Sequence, residues 1–255
     1  MPGDVRPLPS SVPWPAWPLV ALRLVLIGLL LALCVPLHLL WRLLGLRRLW
    51  SRIFLSGTSL LAGIRVRRRG RRVPGALLLA NHVSWMDIPV LSYAANSAFV
   101  AHDGLAQFRF LKWLCEMNDT VFIARHRRAD VSRQAEDIRA AMGGGQTLTL
   151  FPEGTTSDGT WTLPFKSSLL GALEPLPDGV GVQPVTLLYR NPLAVSWTGH
   201  DPGLANFLRI LARPQGVRVS VIFGAPLADA ALANRKSMSA AAQQAVRGAM
   251  DDRAD

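Results

Sequence analysis

From residue 76 onward, short apolar runs alternate with segments of helical periodicity. The runs Ala76–Ala80, Ala98–Ala101, Val121–Ala124, Thr147–Phe151, Val180–Tyr189 and Val217–Phe223 have the length and character of buried strands. Helical patterns fall between several of them: Pro89–Ala95, Leu105–Met117, Val131–Met142 (closed by Gly143-Gly144-Gly145) and Lys166–Leu173. A last helix, rich in alanine, is predicted from Ser239 to Met250. This alternation predicts an α/β domain over residues 64–255, a mostly parallel sheet flanked by helices. No internal repeat is present.

The first quarter of the chain follows a different pattern. Residues 1–18 hold Pro2, Pro7, Pro9, Pro13, Pro15 and Pro18 and are expected to be irregular. Residues 19–63 read as membrane-anchoring helices. Trp14 and Trp17 stand where an interface would be, and Leu24–Trp41 contains no Asp, Glu, Lys or Arg, long enough to cross or enter a bilayer. Pro36 leaves open one span or two helices meeting near it. Leu31-Ala32-Leu33-Cys34 superficially resembles a lipoprotein cleavage site, but Leu33 is too large and no small-residue pattern follows, so cleavage is rejected. Beyond it, Arg42, Gly45, Arg48, Arg52, Ser56 and Ser59 recur every three or four residues, with leucine, Trp50, Ile53 and Phe54 between. The expectation is an interfacial helix with arginines toward lipid phosphates; the plain alternative is a helix packed on its own domain. Arg47, Arg48 and Arg52 outweigh Arg6, which predicts a domain facing the cytoplasm from the inner membrane.

Composition sharpens this. Half of the 255 residues are hydrophobic and the formal net charge is +11; mean hydropathy is +0.24. A basic, apolar chain with no nucleic-acid motif points to anionic membrane lipids as partner and away from nucleic acid. Arg65–Arg72 holds six arginines in eight positions, a solvated strand or hairpin suited to lipid headgroups. The two cysteines, Cys34 and Cys115, have neither metal-ligand spacing nor a disulfide partner pattern.

Polar residues collect where the apolar runs stop. Asn81-His82-Val83-Ser84-Trp85-Met86-Asp87 follows the first run. On a straight helix His82 and Asp87 would stand about 140° apart, so they pair only across a strand-to-helix turn. Paired, Asp87 accepts from one ring nitrogen and frees the other to take a proton from an alcohol. Ser84 and Asp87 also fit a capping box with Pro89 in the first turn, and Asp87 is able to do both. Arg125 ends Phe122-Ile123-Ala124-Arg125, and Phe151-Pro152-Glu153-Gly154-Thr155-Thr156 ends the fourth run. Val182-Gln183-Pro184-Val185 lies inside the fifth, where Pro184 predicts a sheet edge or a bulge.

These blocks, in this order, resemble the conserved blocks of the glycerolipid acyltransferases, bacterial lysophosphatidic acid acyltransferases among them, over roughly residues 65–226. The resemblance implies that His82 is the general base, Asp87 orients it, Arg125 pairs with the acceptor's phosphate, and Glu153, Gly154 and Thr155 shape the acceptor site. It also implies acyl-CoA or acyl carrier protein as donor. Two departures stand out: Val100-Ala101-His102-Asp103 lacks the lysine of many relatives, and Phe165-Lys166-Ser167-Ser168 replaces Phe-Lys-x-Gly. Lys166 remains a candidate phosphate ligand, or a surface lysine capping the preceding loop. A thioester is already activated, so no metal or cofactor is expected. Backbone N–H groups near His82 or at Gly154-Thr155 are candidates for the oxyanion. No Gly-x-Ser-x-Gly elbow is present, and Cys115 reads as a core thiol. His38 reads as an interfacial residue, and His126 and His200 carry no assignment.

The leading reading is therefore a membrane-bound O-acyltransferase acting on lysophosphatidic acid to give phosphatidic acid. Acylation of another lysolipid, such as lyso-ornithine lipid, comes second. A non-catalytic basic membrane-surface scaffold comes third, with no use for His82, Asp87 or Glu153.

Overall fold

A computed structural model describes residues 12–46, 48–102, 109–123, 136, 138–142, 144–198 and 202–252. Seven strands form one sheet: β1 (Ile64–Arg69), β2 (Leu77–Ala80), β3 (Ala98–His102), β4 (Val121–Ile123), β5 (Leu148–Leu150), β6 (Val182–Tyr189) and β7 (Val217–Phe223), in the order β1-β7-β6-β2-β5-β3-β4. Every neighbouring pair is parallel except β6 and β7. The strands read from the apolar runs all occur.

β2 is apolar throughout because both its faces are covered. Leu78 and Ala80 belong to a core completed by α1 (Trp17–Leu43), α3 (Asp87–Ala95) and α6 (Gly203–Leu211). Leu77 and Leu79 belong to a second core on the opposite face, completed by α5 (described over residues 138–142), a 3₁₀ segment Ser167–Leu173 and α7 (Arg235–Asp251). The helix expected at Lys166–Leu173 is thus a 3₁₀ segment. α7 starts four residues earlier than Ser239 because the Asn234 side chain accepts from the Lys236 and Ser237 N–H groups in a capping box.

Pro184 is neither at an edge nor in a bulge, since β6 runs between β7 and β2. In an antiparallel pair the N–H and C=O of one residue face the same neighbour. Pro184 C=O accepts from Gly224 N–H at 2.9 Å, and the β7 ladder begins one residue later, at Val185 and Phe223. The missing donor therefore faces Gly224 at the end of β7, whose carbonyl is met instead by Gln183 Nε2 at 2.8 Å.

The N-terminal helices differ from expectation in one respect. α1 is continuous through Pro36, and the apolar helix Trp14–Leu43 is long enough to cross a membrane. The chain turns at residues 44–45, and α2 (Leu49–Leu61) then packs on α3 and β1. α2 turns its polar stripe inward: Ser51, Thr58 and Ser59 are buried, while Leu49, Ile53 and Leu60 are exposed. Arg48 does not face lipid headgroups; it pairs with Asp119 at 4.0 Å and reaches Asn96 O at 3.5 Å. Packing on the domain thus fixes α2, whose outward side carries Leu49, Ile53 and Leu60 together with the exposed Arg52. A row of exposed leucines on α1, Leu22, Leu29, Leu33 and Leu39 among them, continues that apolar surface.

Arg23 docks α1. Its guanidinium is buried and donates to Leu211 O at 2.7 Å and Arg213 O at 3.0 Å, at the carbonyl end of α6. A cation there meets both unsatisfied carbonyls and the negative end of the helix dipole. It lies against Gly63, where an added Cβ would stand 2.5 Å from Arg23 Nη2. Arg23→Ala is expected to cost about 1.5–3 kcal/mol and to loosen α1 from the domain. Limited proteolysis between α1 and α2 and thermal melting in detergent check this; unchanged cleavage would show that α1 docks through apolar contacts alone.

Candidate active site

Asn81 ends β2. Its side chain donates to Leu187 O at 3.1 Å and accepts from Leu187 N–H at 2.7 Å, imitating one more residue of ladder. The backbone is thereby released to turn, and the expected strand-to-helix corner forms at residues 82–86. Across it, His82 Nδ1 meets Asp87 Oδ2 at 2.7 Å. The ring stacks on Phe151, with centroids 4.1 Å apart and planes 15° from parallel, and the side chain stays 19% exposed. With Nδ1–H donated to the carboxylate, Nε2 carries the lone pair that can take a proton.

Asp87 is fully buried and its carboxylate receives four hydrogen bonds. Oδ2 accepts from Val83 N–H at 2.7 Å and Ser84 N–H at 3.0 Å as well as from His82; Oδ1 accepts from the Tyr189 hydroxyl at 2.6 Å. Ser84 Oγ accepts from Met86 N–H at 3.4 Å. The expected capping box forms only in part: Asp87 takes the Ser84 N–H, but Ser84 Oγ does not take the Asp87 N–H, so one carboxylate holds both the turn and the imidazole. Burial, with the Asp87 charge beside it, holds the Tyr189 phenol well above its usual range, so it stays a donor. Tyr189 was not read from the sequence; its place at the end of β6, four residues past the partner of Ala80 and so beside the corner after β2, was the available signal.

Glu153 is also fully buried and turns away from solvent. Oε1 accepts from His82 N–H at 3.0 Å and Oε2 from Leu163 N–H at 3.2 Å. Ser157 completes the grip by donating to His82 O from its N–H at 2.7 Å and its Oγ at 3.1 Å. Glu153 thus braces the backbone on which the histidine sits. Gly154 supplies the turn after it with φ +70°, a conformation other residues rarely adopt. Burial raises the Glu153 carboxyl to about 7, with the Asp87 charge adding to it and the two N–H donors and Lys166 opposing it.

The N–H groups of His82, Val83 and Ser84 are all engaged, which removes the turn near His82 as an oxyanion site. Gly154 N–H donates to Phe151 O at 3.1 Å, leaving Thr155, on the exposed rim of the same loop, as the remaining candidate. Lys166 is exposed and its backbone N–H donates to Pro152 O at 2.8 Å, which ties its loop to the Glu153 block. Arg125 and His126 lie outside the described residues. Gln183 sits far from the chemistry: it pairs with Leu78, and its side chain binds Val73 N–H, Arg71 O and Gly224 O. The fourth sequence block therefore holds the sheet together at the end opposite His82. Burial, with Glu116 adjacent, pushes the Cys115 thiol to about 11, in keeping with a structural role.

A histidine–carboxylate pair thus stands at the carboxyl end of a central parallel strand, on an α/β scaffold with an apolar N-terminal helix. The sequence model of the family described as Acyltransferase matches residues 63–188. The chain is 35% identical to the lyso-ornithine lipid O-acyltransferase of Rhizobium meliloti, covering 94% of this chain and 87% of that one. It is 30% identical to the 1-acyl-sn-glycerol-3-phosphate acyltransferase of Neisseria gonorrhoeae, over 76% of each. Its fold is similar to that of the 1-acyl-sn-glycerophosphate acyltransferase PlsC of Thermotoga maritima, with a TM-score of 0.59 at 21% identity, covering 91% and 97% of the two chains. The chain belongs to the lysophospholipid acyltransferase family.

Three substitutions test the site. His82→Ala is expected to lower kcat by about 10²–10⁴-fold with the fold intact. Tyr189→Phe should lower kcat by roughly 10-fold, the size of one hydrogen bond to a charged group, with KM for both substrates unchanged; a change in melting temperature alone would leave it a core residue. For Glu153, a carboxyl raised in the folded state binds its proton more tightly than in the unfolded chain. Stability should then fall as pH rises from 4.5 to about 7 and level off above. Glu153→Gln should flatten that slope in melting curves taken across the same window.

Proposed function

We propose that this acyltransferase moves a fatty acyl group from an acyl thioester, on coenzyme A or acyl carrier protein, to the free hydroxyl of a lysolipid, with lyso-ornithine lipid as acceptor. The His82–Asp87 pair at 2.7 Å supports the chemistry. His82 Nε2 takes the hydroxyl proton while the oxygen attacks the thioester carbonyl. The tetrahedral intermediate collapses, the carbon–sulfur bond breaks, and the departing thiolate recovers the proton from the imidazolium, leaving an ester and a free thiol. Asp87 holds the tautomer and the charged ring. The chemistry needs no metal or cofactor, because the thioester supplies the leaving group.

The acceptor is argued from the relatives. Besides the Rhizobium meliloti enzyme, the chain is 34% identical to the lyso-ornithine lipid O-acyltransferase of Brucella abortus, over 80% of this chain and 82% of that one. The departure at Val100-Ala101-His102-Asp103 from the lysine expected by family resemblance weakens a second phosphate contact and is in keeping with an acceptor without phosphate. Lysophosphatidic acid is the second reading, supported by the Phe122–Arg125 block and by the Neisseria gonorrhoeae relative. The exposed leucines of α1 and α2 seat the enzyme in the inner membrane, and Arg47, Arg48 and Arg52 favour a cytoplasmic domain.

Purified protein in mixed micelles, offered both lysolipids in competition with one labelled thioester, decides between them. The expected outcome is a kcat/KM for lyso-ornithine lipid at least about 10-fold above that for lysophosphatidic acid, with Arg125→Lys altering the former little. Preference for lysophosphatidic acid, together with an Arg125→Lys increase in its KM of roughly 10- to 100-fold, would establish the second reading. An intact thioester with either lipid would favour a scaffold.

A further inference from the structure

The two faces of the sheet are covered unequally. α1, α2, α3 and α6 lie on one face and reach across to β1 and β7. On the other, α7 packs over β6, and the outer half, β7 and β1, lies beyond it. β7 shows this in its burial: Val217, Val219, Val221 and Phe223 are buried toward the first face, while Arg218 is exposed and Ser220 and Ile222 half-buried on the second. β1 alternates in step, and its pairing with β7 sets Arg65, Arg67 and Arg69 beside Arg218, Ser220 and Ile222 on the second face. Arg68 points the other way, 5.4 Å above the Tyr93 ring of α3.

The result is a groove of about 660 Å³ lined by Arg65, Arg67, Arg69, Arg190 and Arg218, with Asp252 the one carboxylate among the described lining residues. Its mouth lies at the active-site end of the sheet. β1 and β7 run opposite to β2, and Phe223 is level with Ala80, so Arg218 and its partner Arg65 stand five residues beyond the end of β2, on the His82 side. Arg190 follows the last residue of β6, its N–H on Arg218 O at 3.0 Å. Leu187, which Asn81 holds, is three residues before it. Strand spacings then place the mouth roughly 15 Å from His82.

A membrane surface is poorly placed to fill this groove, because the apolar helices α1 and α2 occupy the opposite face of the sheet. An acidic helix fits it. Same-face residues on a strand recur every 6.6 Å or so, and carboxylates at i and i+4 on a helix every 6 Å or so, so a row of them can register with Arg65, Arg67 and Arg69. We propose that this groove docks the acidic helical surface of an acyl carrier protein and presents its thioester to His82. This rests on the acyltransferase reading above and adds the docking site to it.

The test uses the full chain in detergent micelles with His82→Ala as background, so that donor is not consumed, and a fluorescent palmitoyl-loaded acyl carrier protein read by anisotropy. Binding should weaken steeply with added salt. Arg65→Glu/Arg67→Glu/Arg218→Glu should raise Kd roughly 10-fold or more. The milder Arg67→Gln/Arg218→Gln should raise it in the same direction by less, which covers misfolding of the triple variant. The proposal is overturned if carrier does not bind, or if its Kd is indifferent to salt and to both variants. It is also overturned if the variants lose binding to phosphatidylglycerol vesicles and not to carrier, or if, placed in the protein with His82 intact, they raise the KM of palmitoyl-CoA as much as that of the carrier-bound donor. Carrier binding that needs the arginines, without thioester turnover by the unmodified protein on any lysolipid, would uphold the groove and count against the acyltransferase reading.

Discussion

The buried carboxylate of Asp87 is the constraint on which the site depends. A charge withdrawn from water is costly unless every lone pair is met, and here an imidazole, two backbone N–H groups and a phenol meet it. Each donor comes from a differently placed piece of chain: the ring and amides from the corner after β2, the phenol from the end of β6. The carboxylate can be satisfied only if the corner has one shape and β6 lies beside β2 in one register. The cost of burial thus becomes a geometric specification, and the same hydrogen bond that specifies the corner selects the tautomer of His82.

Three further buried polar side chains extend the logic outward. Asn81 substitutes for a strand residue and lets β2 end while its neighbour continues. Glu153 anchors the peptide of His82 from below, in a setting where burial keeps its own ionisation marginal near neutrality. Gln183 binds the loop before β2 and the exit of β7 with three hydrogen bonds. All are fully buried, and all bond to backbone rather than to each other. Networks of this kind resist small displacements, because a shift leaves a desolvated donor or acceptor unpaired. The catalytic ring is accordingly supported by a rigid floor while its open edge faces the substrate side.

The asymmetry of the sheet divides the labour of a membrane enzyme. One face carries the helices whose outer surfaces are leucine-rich, held to the domain by Arg23 at the end of α6. The other carries a soluble core capped by α7 and then a bare basic margin.

The sequence alone determined the sheet's strands, the apolar anchor and the His82–Asp87 pairing, because each is written in local patterns: apolar runs bounded by polar residues, an uncharged stretch, and a five-residue spacing that only a corner can close. Tertiary structure decided the rest. The strand order made Pro184 harmless in a central strand, because its missing donor meets the end of β7. Neighbouring helices drew Arg48, Ser51, Thr58 and Ser59 toward the protein while Arg52 stayed outward, so only part of the polar stripe read from periodicity faces out. Tyr189 joined the site from residues 102 positions away, and Glu153 proved to hold backbone rather than face the acceptor. These depend on which strands become neighbours, a non-local outcome that no spacing along the chain records.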